Sequence, residues 1–274
     1  MIGISYHAGG LQDLPLEDVI KILADTGYDA IEMMCGPDAH IDSNTVTSEC
    51  VQQVKKMVDD HNLTVSVVNP YRGGGLYQLA LEDQQKAVDH YAKLQDVAVG
   101  LEAGGVNFLT GYGGDKGDPF AWKLLIDVLN PICKRAESLD ITMNIHNHEA
   151  TTIDAPDKVT LLIQHVGSDN LRLLNDITNF YHLGTDIAEV TSQLAPLTTH
   201  CHVKGVKGMY PYSTFLIPGE EDDELDFHTF AEALGKSGYN KYISVETFSH
   251  MRKEKVEIAY NMMADTLRNL GLRN

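Results

Sequence analysis

Short runs rich in β-branched and apolar residues alternate with longer stretches whose apolar positions recur at helical spacing, and the alternation persists along the whole chain. The runs predict strands at residues 2–6, 30–34, 64–69, 106–110, 141–145, 171–175, 200–203 and 242–245. The stretches between them predict helices, the long ones at 43–61, 82–103 and 119–139. Another helix starts at Leu14-Pro15-Leu16-Glu17, where proline is tolerated because a first-turn N–H has no intrahelical acceptor. Glycine-bearing turns such as Thr26-Gly27-Tyr28 and Ala103-Gly104-Gly105 stop helices ahead of strands.

Eight strands about 35 residues apart, with no Pro/Ser-rich linker or low-complexity tract, predict an α/β chain folded as a single (β/α)8 TIM barrel, with residues 1–274 as one domain. A doubly wound open sheet is the alternative. Its phosphate-binding signal is weak, because Ala8-Gly9-Gly10 lacks the Gly-x-Gly-x-x-Gly spacing. Arg72-Gly73-Gly74-Gly75 lacks the Lys-Ser/Thr of a P-loop and reads as a loop after the third strand. The balance of 39 acidic against 21 basic residues gives a net charge of −18, which repels polyphosphate and argues against a nucleic-acid partner. Arg72, Lys116, Lys204 and Lys207 could still form a local positive rim. The four cysteines show no Cys-x-x-Cys pair, which fits a reducing compartment. No window reaches the roughly 18–20 apolar residues of a membrane helix, and the N-terminus lacks a basic leader, so a soluble, cytoplasmic protein is expected. A homo-oligomer stays open.

In such a barrel the active site lies at the C-terminal ends of the strands. Four consecutive strands end in groups able to hold a metal: Asn144 to Glu149, Leu174 to Asp176, His200 to Lys204, and Ser244 to Glu246. Side chains alternate across a strand, so His146 and His148 share a face, as do His202 and Lys204, and Ser244 and Glu246. If that face is the interior, charge converges there, and unpaired burial costs about 1–3 kcal/mol for each polar group and more for charges. A metal or ligand would compensate. His40, His61, His90, His165, His228 and His250 fall in loops or helical stretches and read as ordinary surface or hydrogen-bonded histidines.

The chain resembles the xylose isomerase-like, or sugar phosphate isomerase/epimerase, barrels over essentially its whole length. The resemblance is carried by Gly27-Tyr28-Asp29-Ala30-Ile31-Glu32, by His202-Val203-Lys204, by Pro218-Gly219-Glu220 followed by Leu225-Asp226-Phe227, and by Val245-Glu246. It implies one divalent metal held by residues at the ends of strands five to eight, here His146, Asp176, His202 and Glu246. His146 departs from the family pattern, which has Glu in a Glu-Asn-His sequence; His148 matches that sequence's histidine as a pocket residue. Two carboxylates with two neutral imidazoles balance a 2+ ion, and the added nitrogen favours Mn, Zn, Co or Fe over Mg. The change also removes one of two opposed carboxylates that family epimerases use as paired acid/base groups. His146 to Thr151, as His-x-His-x-x-Thr, is similar to the fifth-strand sequence of inosose dehydratases in the same superfamily. Asn179 and Gly208 stand where ketose epimerases often carry His and Arg, which points to altered substrate recognition.

The implied reaction is metal-assisted enolisation of a small sugar or keto-polyol through an enediolate, with Glu246 as the base and His148 or Lys204 returning or relaying the proton. Reprotonation at the neighbouring carbon gives isomerisation or epimerisation; expulsion of a β-hydroxyl gives dehydration. His7, Glu32, Asn69 and Asn179 are candidate substrate contacts. The insertion at 205–224, with Tyr210, Tyr212 and Phe215, is either a lid or a packed loop or dimer contact. Two other classes compete. The apurinic endonucleases share the barrel but need a basic DNA-binding face, which a chain at −18 lacks; a non-catalytic sugar-binding barrel would keep the cage without turnover.

Overall fold

A computed structural model of the chain describes residues 1–71, 75–111, 118–149, 151–247 and 256–274. The strands are β1 (Gly3–His7), β2 (Ala30–Cys35), β3 (Thr64–Pro70), β4 (Gly105–Leu109), β5 (Thr142–His146), β6 (Leu171–Asp176), β7 (Thr198–Val203), β8 (Gly205–Lys207), β9 (Thr214–Leu216) and β10 (Tyr242–Val245). Eight of them close into a parallel barrel in the order β1-β10-β7-β6-β5-β4-β3-β2, with helices around it: a (β/α)8 TIM barrel. Strands covered on both faces read as continuous apolar runs, and β2 shows this, with all six residues of AIEMMC buried. Glu32 is the one charged residue in that run.

Local chemistry sets the boundaries. Helix Leu16–Thr26 stops at Gly27, whose φ of 106° lies in the left-handed region that a side chain would strain. The Asp118 side chain accepts a hydrogen bond from the Phe120 N–H at 2.9 Å and starts helix Pro119–Leu139, as its sequence predicts. The helix expected over 43–61 begins only at Ser48, because Thr47 caps it by accepting from the Cys50 N–H. The helix expected over 82–103 spans Gln84–Gly100, with Asp83 capping Gln85 and Lys86; the separate helix Leu76–Glu82 precedes it. Ala8–Leu11 forms a 3-10 turn. Arg72, Gly73, Gly74, Lys116 and His250 lie outside the described residues.

Strand ends decide what reaches the mouth. His7, His146 and Asp176 are the last residues of β1, β5 and β6. His148, Lys204 and Glu246 stand one or two positions past β5, β7 and β10, on the rim. After β7 the chain forms an antiparallel hairpin, with Gly205 opposite Leu216 and Lys207 opposite Thr214. No helix among the described residues is long and apolar enough to cross a membrane.

Candidate metal centre and proton-transfer site

Register brings the polar residues into layers inside the barrel. Asp176 and Ser244 lie beside His202, Glu32 lies beside His7, and Asn107 lies beside Asn144. The ends of β5 and β6 are stitched by the Asn147 side chain, whose Nδ2 donates to the Asp176 carbonyl at 3.0 Å and whose Oδ1 accepts from the Asp176 N–H at 2.9 Å. Asp176 is thereby fixed with its carboxylate toward the axis, where Oδ2 stands 3.0 Å from Nε2 of His146.

The other two donors come from β7 and just past β10. Nδ1 of His202 lies 3.1 Å from Oε2 of Glu246, and the His146 and His202 rings meet edge to face with centroids 5.0 Å apart. Donor atoms of His146, Asp176, His202 and Glu246 all lie within 4.8 Å of one another. Nζ of Lys204 donates to Oδ2 of Asp176 and, at 2.7 Å, to Oε2 of Glu246.

A second cluster underlies this one. Glu32 is fully buried; its Oε2 lies 2.8 Å from Nε2 of His202 and 3.0 Å from Nε2 of His200, and its Oε1 accepts from Nδ2 of Asn107 at 3.0 Å. Asn107 Oδ1 accepts from Asn144 Nδ2 at 2.9 Å, and Asn144 Oδ1 accepts from the Thr199 hydroxyl at 2.7 Å. His202 thus offers Nε2–H to a carboxylate beneath and Nδ1 to the cluster above, the arrangement in which a metal-ligating histidine is held in one tautomer by a carboxylate behind it.

The electrostatics suit ligation. Burial pushes His146 down to about 4, so its imidazole is neutral and its lone pair available. Burial would raise Asp176 and Glu246, but the Lys204 ammonium and the neighbouring histidines hold both carboxyls below the usual range. Glu32 also stays well below that range despite its burial, because of His202 and His7 and the hydrogen bonds from His200 and His202. His202 resists the downward push of burial and is driven up to about 10 by Glu32 and Glu246; a bound cation would take the place of that second proton. With neutral histidines, three carboxylates, one ammonium and a divalent ion cancel. The two-nitrogen, two-oxygen donor set and the carboxylate behind His202 therefore fit a divalent metal.

The remaining candidates fall at graded distances. His148 is on the rim, its ring centroid 5.9 Å from that of His146 and its Nδ1 2.8 Å from Oε2 of Glu149. Nε2 of His7 pairs with Asn69 Nδ2 at 2.7 Å, and its ring lies 5.5 Å from that of His202. Asn179 is buried beside Asp176, its N–H donating to Asp176 Oδ1 and its Nδ2 to the Asn147 carbonyl. Glu32 faces His200, His202 and Asn107 within the barrel. Of the insertion, Phe215 lies over Lys204, Tyr210 and Phe215 pack on His182, and Tyr212 is exposed.

His200, Asn147 and Glu149 fall within the strand-end segments named from the sequence but carry no individual role there, and Asn107 and His182 are not singled out at all. His200 was within reach, since it shares the parity of His202 two residues on. Glu149 follows His148 directly, but parity assigns it to the other face, and only the turn after β5 brings its carboxylate back. His182, beyond the short helix Ile177–Tyr181, had no periodic signal at all.

Residues 20–266 match the family model described as xylose isomerase-like TIM barrel. The chain is 22% identical over 244 residues to fructoselysine 3-epimerase of Escherichia coli O157:H7, covering 86% of this chain and 87% of that one. It is 24% identical over 140 residues to inosose dehydratase of Clostridium beijerinckii, covering 46% of each. Its fold superposes on the crystal structure of IOLI protein with a bound zinc atom at a TM-score of 0.80 and 16% identity, covering 98% of this chain and 99% of that one.

Proposed function

This chain belongs to the xylose isomerase-like TIM-barrel family, and from that premise we propose that it is a metal-dependent isomerase or epimerase of a small sugar or keto-polyol. The observation that carries the proposal is the convergence of His146, Asp176, His202 and Glu246 within 4.8 Å at the barrel mouth. The epimerase relative, similar across most of both chains, supports the same reading. When bound, the metal supplies Lewis-acid polarisation of the substrate's carbonyl oxygen; mixed nitrogen and oxygen ligation favours Mn, Zn, Co or Fe over Mg.

The chain's own residues do the proton work. Glu246, ionised and on the rim, takes the proton alpha to the carbonyl, and its Oε2 is already held by Lys204. Lys204 keeps positive charge next to the developing enediolate. His148, having taken up a proton at Nε2, gives it to the enediolate: at the neighbouring carbon this is isomerisation, and on the opposite face of the same carbon it is epimerisation. His7, Asn69 and Asn179 flank this space and orient hydroxyls, while Glu32 fixes His202.

A second reading is dehydration of an inosose-like keto-polyol. The histidine at position 146 favours it, since Glu246 then lacks the second glutamate that family epimerases pair with it as an acid/base group, and so does the similarity to inosose dehydratase. His148 would then protonate a departing β-hydroxyl.

Metal analysis of the purified protein, followed by proton NMR in D2O with a panel of keto-sugars and inososes, tests both readings. Solvent deuterium should enter alpha to the carbonyl, and Glu246→Gln should slow that exchange about 10²–10⁴-fold. Retained substrate carbon skeletons with altered stereochemistry or carbonyl position identify the isomerase; loss of water identifies the lyase. Full activity in a metal-free preparation would overturn the metal-dependent reading.

A further inference from the structure

Beside His148 stands a carboxylate that this chemistry does not use. Oε2 of Glu149 lies 2.8 Å from Nδ1 of His148 and 3.5 Å from Nε2 of His182. His182 is buried, and its Nδ1 lies 3.1 Å from the hydroxyl of Ser213. Its ring packs on Tyr210 and Phe215, with centroids 5.8 and 5.5 Å away, and its carbonyl accepts from the Tyr210 N–H at 3.0 Å. Ser213 directly precedes β9, so the hairpin after β7 is tied to His182, whose Nε2 faces the Glu149 carboxylate at ion-pair distance.

Enclosing a carboxylate between two imidazoles costs desolvation that an apolar contact would avoid. The arrangement has a chemical use. A neutral imidazole carries one proton, and the partner of one ring nitrogen decides which nitrogen holds it. The carboxylate charge 2.8 Å from Nδ1 favours the proton there and leaves the Nε2 lone pair to take up a further proton and then give it at the substrate, the task assigned to His148 above.

We propose that Glu149 is a positioning residue that holds His148 in its Nδ1–H form, and that His182 carries the seating of the Ser213–Phe215 segment to that carboxylate. Hairpin position and His148 orientation are then set together. The kinetic half of this inference rests on the proposed proton-transfer function; the tautomer half does not.

Long-range nitrogen-proton correlation spectra of the full chain, 15N-labelled and loaded with zinc, read the ring nitrogens directly, with His148→Gln assigning the signal. His148 should carry its proton on Nδ1 in the wild type. Glu149→Ala should move it largely to Nε2, and Glu149→Gln, which keeps an acceptor oxygen, should restore Nδ1–H. Ser213→Ala, a mild change should Glu149→Ala fail to fold, should mix the two forms. With a keto-sugar that exchanges, Glu149→Ala should lower kcat roughly 10- to 100-fold, with KM within about threefold and zinc content unchanged. A wild-type His148 protonated on Nε2, or a tautomer indifferent to both Glu149→Ala and Ser213→Ala, overturns the inference. A tautomer that shifts as stated in a protein exchanging no keto-sugar overturns the proposed function instead and leaves the Glu149 assignment standing.

Discussion

The two acidic-histidine clusters in this barrel share His202, yet they are built to opposite ends. In the lower one, Glu32 is fully buried and accepts from His200, His202 and Asn107, and the chain of donors runs on through Asn144 to Thr199. In the upper one, two carboxylates face two imidazoles on a rim, and the Lys204 ammonium is the cation between them. Donor atoms lie within 4.8 Å of one another in both, but the lower set of Glu32, His200 and His202 is fully enclosed with a protein partner for each Glu32 oxygen, whereas the upper gathers four residues at the strand ends of the mouth. A matched cluster is a clamp, and a convergent one is a place for a ligand. The rigidity of the first makes the geometry of the second reproducible.

Breaking the clamp has the largest expected effect on the molecule as a whole. Glu32→Gln keeps the size but removes the charge facing His202, so it should cost about 3–5 kcal/mol of stability and weaken zinc binding about 10–100-fold. The acid limb of the stability curve tests the cause. Glu32 is held below the ordinary carboxylate range, so the unfolded chain takes up its proton at a higher pH than the folded one. Its contribution is therefore present above that range and lost as pH falls through the folded value; Glu32→Gln should remove that part of the slope. Equal zinc affinity in the variant, measured by competition with a chelator, would dissolve the distinction between clamp and site.

Lys204→Met sharpens the comparison from the other side. Without metal, it leaves Asp176 and Glu246 facing each other with one cation fewer, an expected loss of about 3 kcal/mol. Added zinc should restore most of it, through binding to the folded state alone. Melting curves with and without chelator should show a metal-dependent gap wider in this variant than in the wild type. An equal gap would mean that the ammonium is not a counter-ion of the convergent cluster.

How much of this the sequence disclosed follows from which interactions are periodic. The barrel was legible because eight strand runs and their helices repeat, and burial on both faces writes itself as a run of apolar residues, as in β2. That polar groups gather at four strand ends was legible because strand ends and parity are positional rules, whereas the choice of His146, Asp176, His202 and Glu246 among them comes from the resemblance to the family. The clamp was less so: Glu32 looked like a substrate contact, since nothing in a linear pattern says that Asn107, 75 residues on, and His200, 168 residues on, will meet its carboxylate. Helix starts shifted where a single side chain captured an N–H, as Thr47 and Asp83 do. Glu149 and His182 escaped because turns, which carry no period, bring them together.

The smallest effect belongs at the bottom of the clamp. Thr199→Val replaces the hydroxyl that donates to Asn144 Oδ1 with an isosteric methyl, leaving an amide oxygen short of one donor. Such a loss costs about 1 kcal/mol, roughly 2–4 °C in melting temperature for a chain of this size. Asn144 still donates to Asn107, and Asn107 to Glu32, so the carboxylate behind His202 keeps its partners. Zinc affinity should therefore stay within about twofold of the wild type while the melting temperature falls. That separation is informative because Glu32→Gln should move both quantities together. If Thr199→Val weakens zinc as well, the amide chain transmits strain upward to His202, and clamp and site form one unit down to the barrel floor.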